Sequence, residues 1–225
     1  MKKATVLEHV KTPDGSTLAL VERDGHYMIW VNGRELMSTR HAYSEQQVGV
    51  VGCEPLRGRR GARVLIGGLG LGFTLRAALD TLGAGARVVV AELIPQVVEW
   101  NRNPAYPLAS AALADKRTEI MLGDVAELIG KSVARFDAIL LDADNETTTM
   151  NTAGNSSLYR RAGLASIARA LTPGGTVVYW SVGEDPRLAK RLTQAGFKVE
   201  VRRVRKHAAA ESGGYHVLLL AKAPA

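Results

Sequence analysis

The stretch that most constrains this chain begins at residue 63. An apolar run, Arg63–Gly67, opens directly into Gly67-Gly68-Leu69-Gly70-Leu71-Gly72 and then into a helical pattern at Phe73–Leu82. A glycine-dense turn between a strand and a helix lets the backbone reverse tightly and lets a ligand approach main-chain N–H groups closely. Strand and helix patterns then alternate. Further strands are expected at Arg87–Glu92, Glu119–Leu122, Asp137–Leu141 and Thr176–Ser181, and helices at Pro95–Asn101, Val125–Ile129 and Leu158–Leu171. These strands are apolar without alternation, the signature of a parallel sheet covered by helices on both faces. Pro173-Gly174-Gly175 ends a helix and opens the fifth strand, and Gly196 stops a helix at Pro186–Ala195. Two last strands, Lys198–Val204 and Tyr215–Ala221, are joined by His207–Gly214 as a hairpin. The expected core is α/β: five parallel strands plus a C-terminal antiparallel hairpin, seven strands in one sheet.

The N-terminal residues read differently. Strands at Thr5–Val10, Leu18–Arg23 and Tyr27–Val31 are separated by Pro13-Asp14-Gly15 and Asp24-Gly25, with Asn32-Gly33 as a further turn. This is a small antiparallel β-unit, too short to be stable alone. A helix near Ser44–Val51 and a linker at Pro55–Ala62 lead to the core. The division expected is 1–48 for the β-unit and its connection and 49–225 for the core.

Composition removes several classes of function. With 225 residues, 46% hydrophobic and 23% charged, the chain suits one globular α/β domain with a small extension. No apolar run approaches the roughly 20 residues needed to cross a bilayer. The start, MKKATVLEHVKTPDG, holds no apolar signal core, so the expected location is the cytoplasm. A lone Cys53 excludes an intrachain disulfide and a Cys-rich zinc cluster, and it reads as a small, half-buried hydrophobe. The five histidines lack paired ligand spacing, so no metal is expected; phosphate-loop and serine-elbow motifs do not occur. The net charge of +7 gathers at Arg57, Arg59, Arg60 and Arg63 and at Arg202, Arg203, Arg205 and Lys206. Neither cluster is interleaved with stacking aromatics, which argues for solvated loops and against a nucleic-acid partner. The open edges of the N-terminal unit offer a surface that a second copy could cover, as a homodimer.

Three acidic residues close consecutive core strands. Glu92 ends the second, 20 residues beyond Gly72, where a carboxylate can accept from two ribose hydroxyls. The loop pattern is G-x-G-x-G, through Gly68, Gly70 and Gly72, which suits a mononucleoside better than a dinucleotide. Asp124 follows the third strand. Its carboxylate can accept from an exocyclic amine while the Val125 N–H donates to a ring nitrogen, or it can cap the next helix. Asp142 follows the fourth strand near the middle of the sheet, where it can orient or deprotonate a nucleophile, with Asp144 and Asn145 beside it. Trp180, ending the fifth strand, can wall an acceptor pocket or simply pack in the core.

These residues carry a resemblance. Residues 63–222 look like a class I S-adenosylmethionine-dependent methyltransferase, a Rossmann-like fold. With the β-unit and His41-Ala42-Tyr43-Ser44-Glu45 included, the chain resembles the spermidine synthase (polyamine aminopropyltransferase) family. The resemblance implies a transferase, a donor that is S-adenosylmethionine or its decarboxylated form, a small-molecule acceptor, and Tyr43 closing over the site beside Asp142.

The chain also departs from that family. The family's loop reads GGGDGG, and its Asp, which holds the donor's aminopropyl end, is replaced here by Gly70. The second acid of its DxxD falls on Asn145, and Ser38-Thr39-Arg40-His41 replaces its acidic run. A polycation needs several carboxylates, because each buried ammonium needs a partner. The sequence therefore favours methyl transfer to a small acceptor, by in-line displacement at the sulfonium. Aminopropyl transfer to a polyamine is the alternative, and a non-catalytic nucleoside-binding protein is the second.

Overall fold

The computed structural model describes residues 3–141, 157–207 and 214–224. Asp142, Asp144 and Asn145 lie outside the described residues.

The N-terminal sheet is an antiparallel meander of β1 (Thr5–Lys11), β2 (Thr17–Arg23), β3 (His26–Val31) and β4 (Arg34–Ser38). Asp24 and Gly25 have φ of 54° and 78°, and Asn32 and Gly33 have 49° and 79°. Two successive positive φ values are what a two-residue type I′ hairpin turn requires, and Asp-Gly and Asn-Gly supply them at low cost. The fourth strand goes beyond the sequence expectation. Arg34–Leu36 is exposed at the sheet edge, so β4 carries no alternating pattern to reveal it.

Helix α1 (Tyr43–Cys53) and a single 3-10 turn (Glu54–Leu56) lead into the core. Residue 48 lies inside α1, which packs against the large sheet as one helix. The core continues as β5 (Arg63–Gly67), α2 (Phe73–Thr81), β6 (Arg87–Glu92), α3 (Pro95–Arg102), α4 (Ser110–Leu113), β7 (Thr118–Leu122), α5 (Val125–Gly130) and β8 (Phe136–Leu141). Beyond residue 157 come α6 (Arg161–Ala170), β9 (Leu171–Ser181), α7 (Pro186–Gln194), β10 (Lys198–Arg205) and β11 (Tyr215–Lys222).

The large sheet runs β10-β11-β9-β8-β5-β6-β7. Strands β9, β8, β5, β6 and β7 are parallel, and β11 pairs antiparallel with both β9 and β10. This is the α/β sheet expected from the sequence. One face buries Val64, Ile66, Val88, Val90, Leu140 and Val178 in a core shared with α1, α2, α3 and the inner face of the N-terminal sheet. The other buries Leu65, Val89, Ile139 and Val177 under α5, α6 and α7. β8 is buried at all six positions, as a central parallel strand should be.

The chain-start sheet is tied to the core by a polar bridge. Glu8 on β1 accepts from Trp100 Nε1 (2.9 Å) and from the Tyr106 hydroxyl (2.8 Å). In the large sheet, at the amino end of β8, buried Asp137 accepts from Arg63 N (2.8 Å) and Thr172 Oγ1 (3.0 Å) and pairs with Arg59 (3.0 Å). Arg203 pairs with Glu184, so both basic clusters have part of their charge matched locally.

Cys53 is fully buried rather than half-buried, and desolvation pushes its thiol up to about 12. It should resist alkylation by iodoacetamide at pH 8 in the native protein and react once the protein is unfolded. The crossing of α1 and α2 is equally tight. A Cβ on Gly49 would stand 2.6 Å from Thr74 O and 2.9 Å from Ala78 N. Gly49→Ala should therefore lower the unfolding free energy by about 1–3 kcal/mol, the usual range for overpacking. Gly83→Ala, where an added Cβ meets nothing within 4 Å, should leave denaturant unfolding near wild type.

Candidate functional site at the carboxyl rim of the sheet

Because five strands run parallel, their carboxyl ends share one edge. Gly67, Glu92, Leu122, Leu141 and Ser181 end β5, β6, β7, β8 and β9 there. The chain steps outward from β5 to β6 and β7, then returns to β8 on the other side of β5. The crevice of such a sheet opens at that reversal.

The glycine loop lies in the crevice. Gly68, Gly70 and Gly72 have φ of 90°, 52° and 75°, values that side-chain-bearing residues adopt only with strain. The loop is held at several points. Gly68 N donates to Ala91 O (2.8 Å) and Gly72 N to Leu69 O (2.8 Å). Asn101 Nδ2 on α3 donates to Gly70 O and to Val97 O, both at 2.8 Å.

Glu92 is the main clamp. Its Oε2 accepts from Leu69 N and its Oε1 from Ile94 N, both at 2.8 Å, and the residue is only 7% exposed. Burial raises its pKa, against the lowering effect of these N–H donors. The residue expected to grip a ribose therefore also fixes the backbone around it. A carboxylate offers about four lone-pair positions, so two backbone donors leave capacity for sugar hydroxyls.

At Gly70 a side chain from the N-terminal sheet lies against the loop. A Cβ there would stand 2.7 Å from Met37 Sδ and 2.8 Å from Met37 Cε. β4 of the N-terminal sheet reaches over the loop and places a thioether where a residue-70 side chain would project. Sequence reasoning treated Gly70 as a lost charge. Met37 was not singled out, because β4 itself was not legible.

Asp124 does cap α5, accepting from Ala126 N at 2.7 Å through Oδ1. Val125 packs behind the loop, with methyls 3.2 and 3.4 Å from where a Gly67 Cβ would be. Both stand at the end of β7, beside Glu92.

On the other side of the reversal, Tyr43 opens α1 and is half-buried. The next two residues went unassigned in sequence, yet both are buried. Ser44 Oγ donates to Glu45 Oε2 at 2.6 Å, and His216 Nδ1 on β11 lies 2.8 Å from Ser44 Oγ. Burial raises the Glu45 carboxyl, while the Ser44 hydrogen bond opposes it. His216 meets Trp180 edge to face, with ring centroids 4.6 Å apart. Trp180 is 8% exposed within the core, and its Nε1 has no partner among the described residues. Thr74 Oγ1, on the first turn of α2, donates to Glu45 O at 3.1 Å. The rim thus brings together Gly68, Gly70, Gly72, Glu92, Asp124 and Val125 on one side and Tyr43 and Trp180 on the other. Among the described residues no group of three His, Cys, Asp or Glu could hold a metal ion, and no helix is long and apolar enough to cross a membrane.

The structure is a seven-stranded α/β sheet with a glycine loop at the reversal of its carboxyl rim. No protein-family model matches the chain. A polyamine aminopropyltransferase from Saccharolobus islandicus is 30% identical over 115 residues, which is 51% of this chain and 37% of that protein. The match therefore spans little more than a third of that relative's length. A spermidine synthase solved in complex with the transition-state analogue AdoDATO superposes with a TM-score of 0.71 at 20% identity, covering 96% of this chain and 72% of that one. The spermidine synthase from Thermotoga maritima gives the same score and coverage at 21% identity. A precorrin-6y methyltransferase from Geobacter metallireducens follows with a TM-score of 0.56 at 15% identity, covering 80% of this chain and 88% of that one. The chain is spermidine synthase-like in fold and, over half its length, in sequence.

Asn101 offers a test of the clamp. Asn101→Ala strips the side-chain donor from the carbonyls of Gly70 and Val97. Denaturant unfolding should show a loss of about 1–3 kcal/mol, the penalty for unsatisfied buried polar groups. An unchanged midpoint would mean that the loop is held without it.

Proposed function

We propose that this chain is a transferase acting on an adenosyl sulfonium donor. The reading best supported is aminopropyl transfer from decarboxylated S-adenosylmethionine to an amine. The observation that carries it is the glycine loop clamped by Glu92 at the strand reversal, in a fold shared with a spermidine synthase that binds AdoDATO. The sequence likeness to polyamine aminopropyltransferases points the same way.

In this reading the chain supplies orientation, desolvation and a place for one proton. Glu92 fixes the sugar, and the Gly68–Gly72 backbone lies under the donor. Asp124 and Val125 read the base. The amine attacks the sulfonium-bound carbon in line. The N–C bond forms, the C–S bond breaks, sulfur keeps the electron pair and leaves as methylthioadenosine, and the amine gives up a proton. Aligning the reactants can remove about 7–11 kcal/mol of the barrier. The roles assigned from sequence are Asp142 to orient the nucleophile or take its proton, Tyr43 to close over it, and Asp144, Asn145 and Trp180 to bind the acceptor.

Methyl transfer from S-adenosylmethionine is the second reading, and Met37 over Gly70 favours it. A neutral, apolar lid lacks the carboxylate that a free aminopropyl ammonium needs, whereas S-adenosylmethionine brings its own carboxylate.

Calorimetric titration with S-adenosylmethionine, its decarboxylated form and methylthioadenosine tests both readings. Binding of methylthioadenosine with a preference for the decarboxylated donor supports aminopropyl transfer. The reverse preference selects methyl transfer, and no binding of any of the three overturns the proposal. Glu92→Gln should weaken all three ligands by a similar factor, about tenfold or more if hydrogen bonds to a charged group are lost. Asp142→Asn should lower turnover while leaving methylthioadenosine affinity near wild type.

A further inference from the structure

We infer that Glu45, held by Ser44 and His216, is the carboxylate that receives the ammonium of the acceptor. The inference deepens the amine-transfer reading and rests on it for the identity of the ligand.

Position comes first. Glu45 sits on the first turn of α1, bonded through its carbonyl to Thr74 on the first turn of α2, which starts where the glycine loop ends. Through Ser44 it reaches His216 on β11, and His216 packs on Trp180 near the end of β9. Glu45 therefore lies between the first turn of α2 and His216 on β11, on the Trp180 side of the rim.

Hydrogen-bond direction comes next. A serine hydroxyl has one proton to give. Ser44 gives it to Glu45 Oε2, so the 2.8 Å contact with His216 is made by the imidazole Nδ1–H donating to Ser44 Oγ. Both donors in this chain point towards Glu45, which favours its charged form. Yet Glu45 is 8% exposed and forms no ion pair among the described residues. A buried carboxylate without a cationic partner carries a penalty of several kcal/mol. A primary ammonium is the ligand chemistry that removes it. Trp180 adds an aromatic ring beside His216. This arrangement also answers the shortage of acids in the sequence, since Glu45 supplies one from a helix rather than from a loop.

Putrescine serves as the probe, titrated calorimetrically with and without methylthioadenosine. Wild type should bind it, and Glu45→Gln, which keeps the volume, should weaken it about tenfold or more, as for loss of a charge-assisted contact. Ser44→Ala and His216→Phe should each weaken it less, and Ser44→Thr, which keeps the hydroxyl, should restore most of the affinity. Methylthioadenosine affinity should stay at the wild-type value in all four variants, which shows that they fold and separates this site from the donor site. Putrescine binding that is unchanged in Glu45→Gln, or absent in wild type, overturns the inference. If methylthioadenosine fails to bind while putrescine binds through Glu45, the donor reading falls and this one stands.

Discussion

The rim depends on one carboxylate engaged by two backbone donors. Glu92, at the end of β6, holds Leu69 N with one oxygen and Ile94 N with the other. It thereby joins the end of one parallel strand to the turn that follows its neighbour. Charge-assisted bonds of this kind are stronger than neutral ones, and burial keeps water from competing for them. The positive-φ glycines need such external support, because a glycine-rich segment left to itself samples many conformations. Asn101 completes the support from α3.

The N-terminal sheet packs on the core and reaches the glycine loop. Glu8 anchors it to Trp100 and Tyr106, Met37 lies on Gly70, and the segment after β4 delivers Tyr43, Ser44 and Glu45 to the rim. The inner residues Leu18, Leu20, Ile29 and Val31 share a core with Val48, Ile66 and Val90. Four strands with one apolar face gain stability by burying that face, and here they bury it against the helices that form the crevice. Changes in the small sheet should therefore be felt at the glycine loop.

Much of this was legible in the sequence. Uninterrupted apolar strands and glycine stops marked the parallel strands and the C-terminal hairpin, and Pro13-Asp14-Gly15 and Asp24-Gly25 marked the first two hairpins of the small sheet. Glu92 stood out as a carboxylate at a strand end beside a glycine loop, but its hold on Leu69 N and Ile94 N was not legible, because both partners are backbone groups. What stayed hidden had physical causes. β4 is an exposed edge with no alternation, so Met37 and its approach to Gly70 could not be anticipated. The Ser44, Glu45 and His216 cluster joins residues 172 positions apart, and nothing local marks such a pair. Asp124 presented two roles that its neighbours alone could not separate, and the cap is the one formed between described atoms.

The most direct measurement is a crystal structure of the chain with methylthioadenosine. The nucleoside should lie across the carboxyl rim, its sugar hydroxyls within about 3 Å of the Glu92 carboxylate, a normal hydrogen-bond length, and its base beside Asp124 and Val125. A nucleoside bound elsewhere, or a rim filled by Met37 with Glu92 engaged only by Leu69 and Ile94, would contradict this placement.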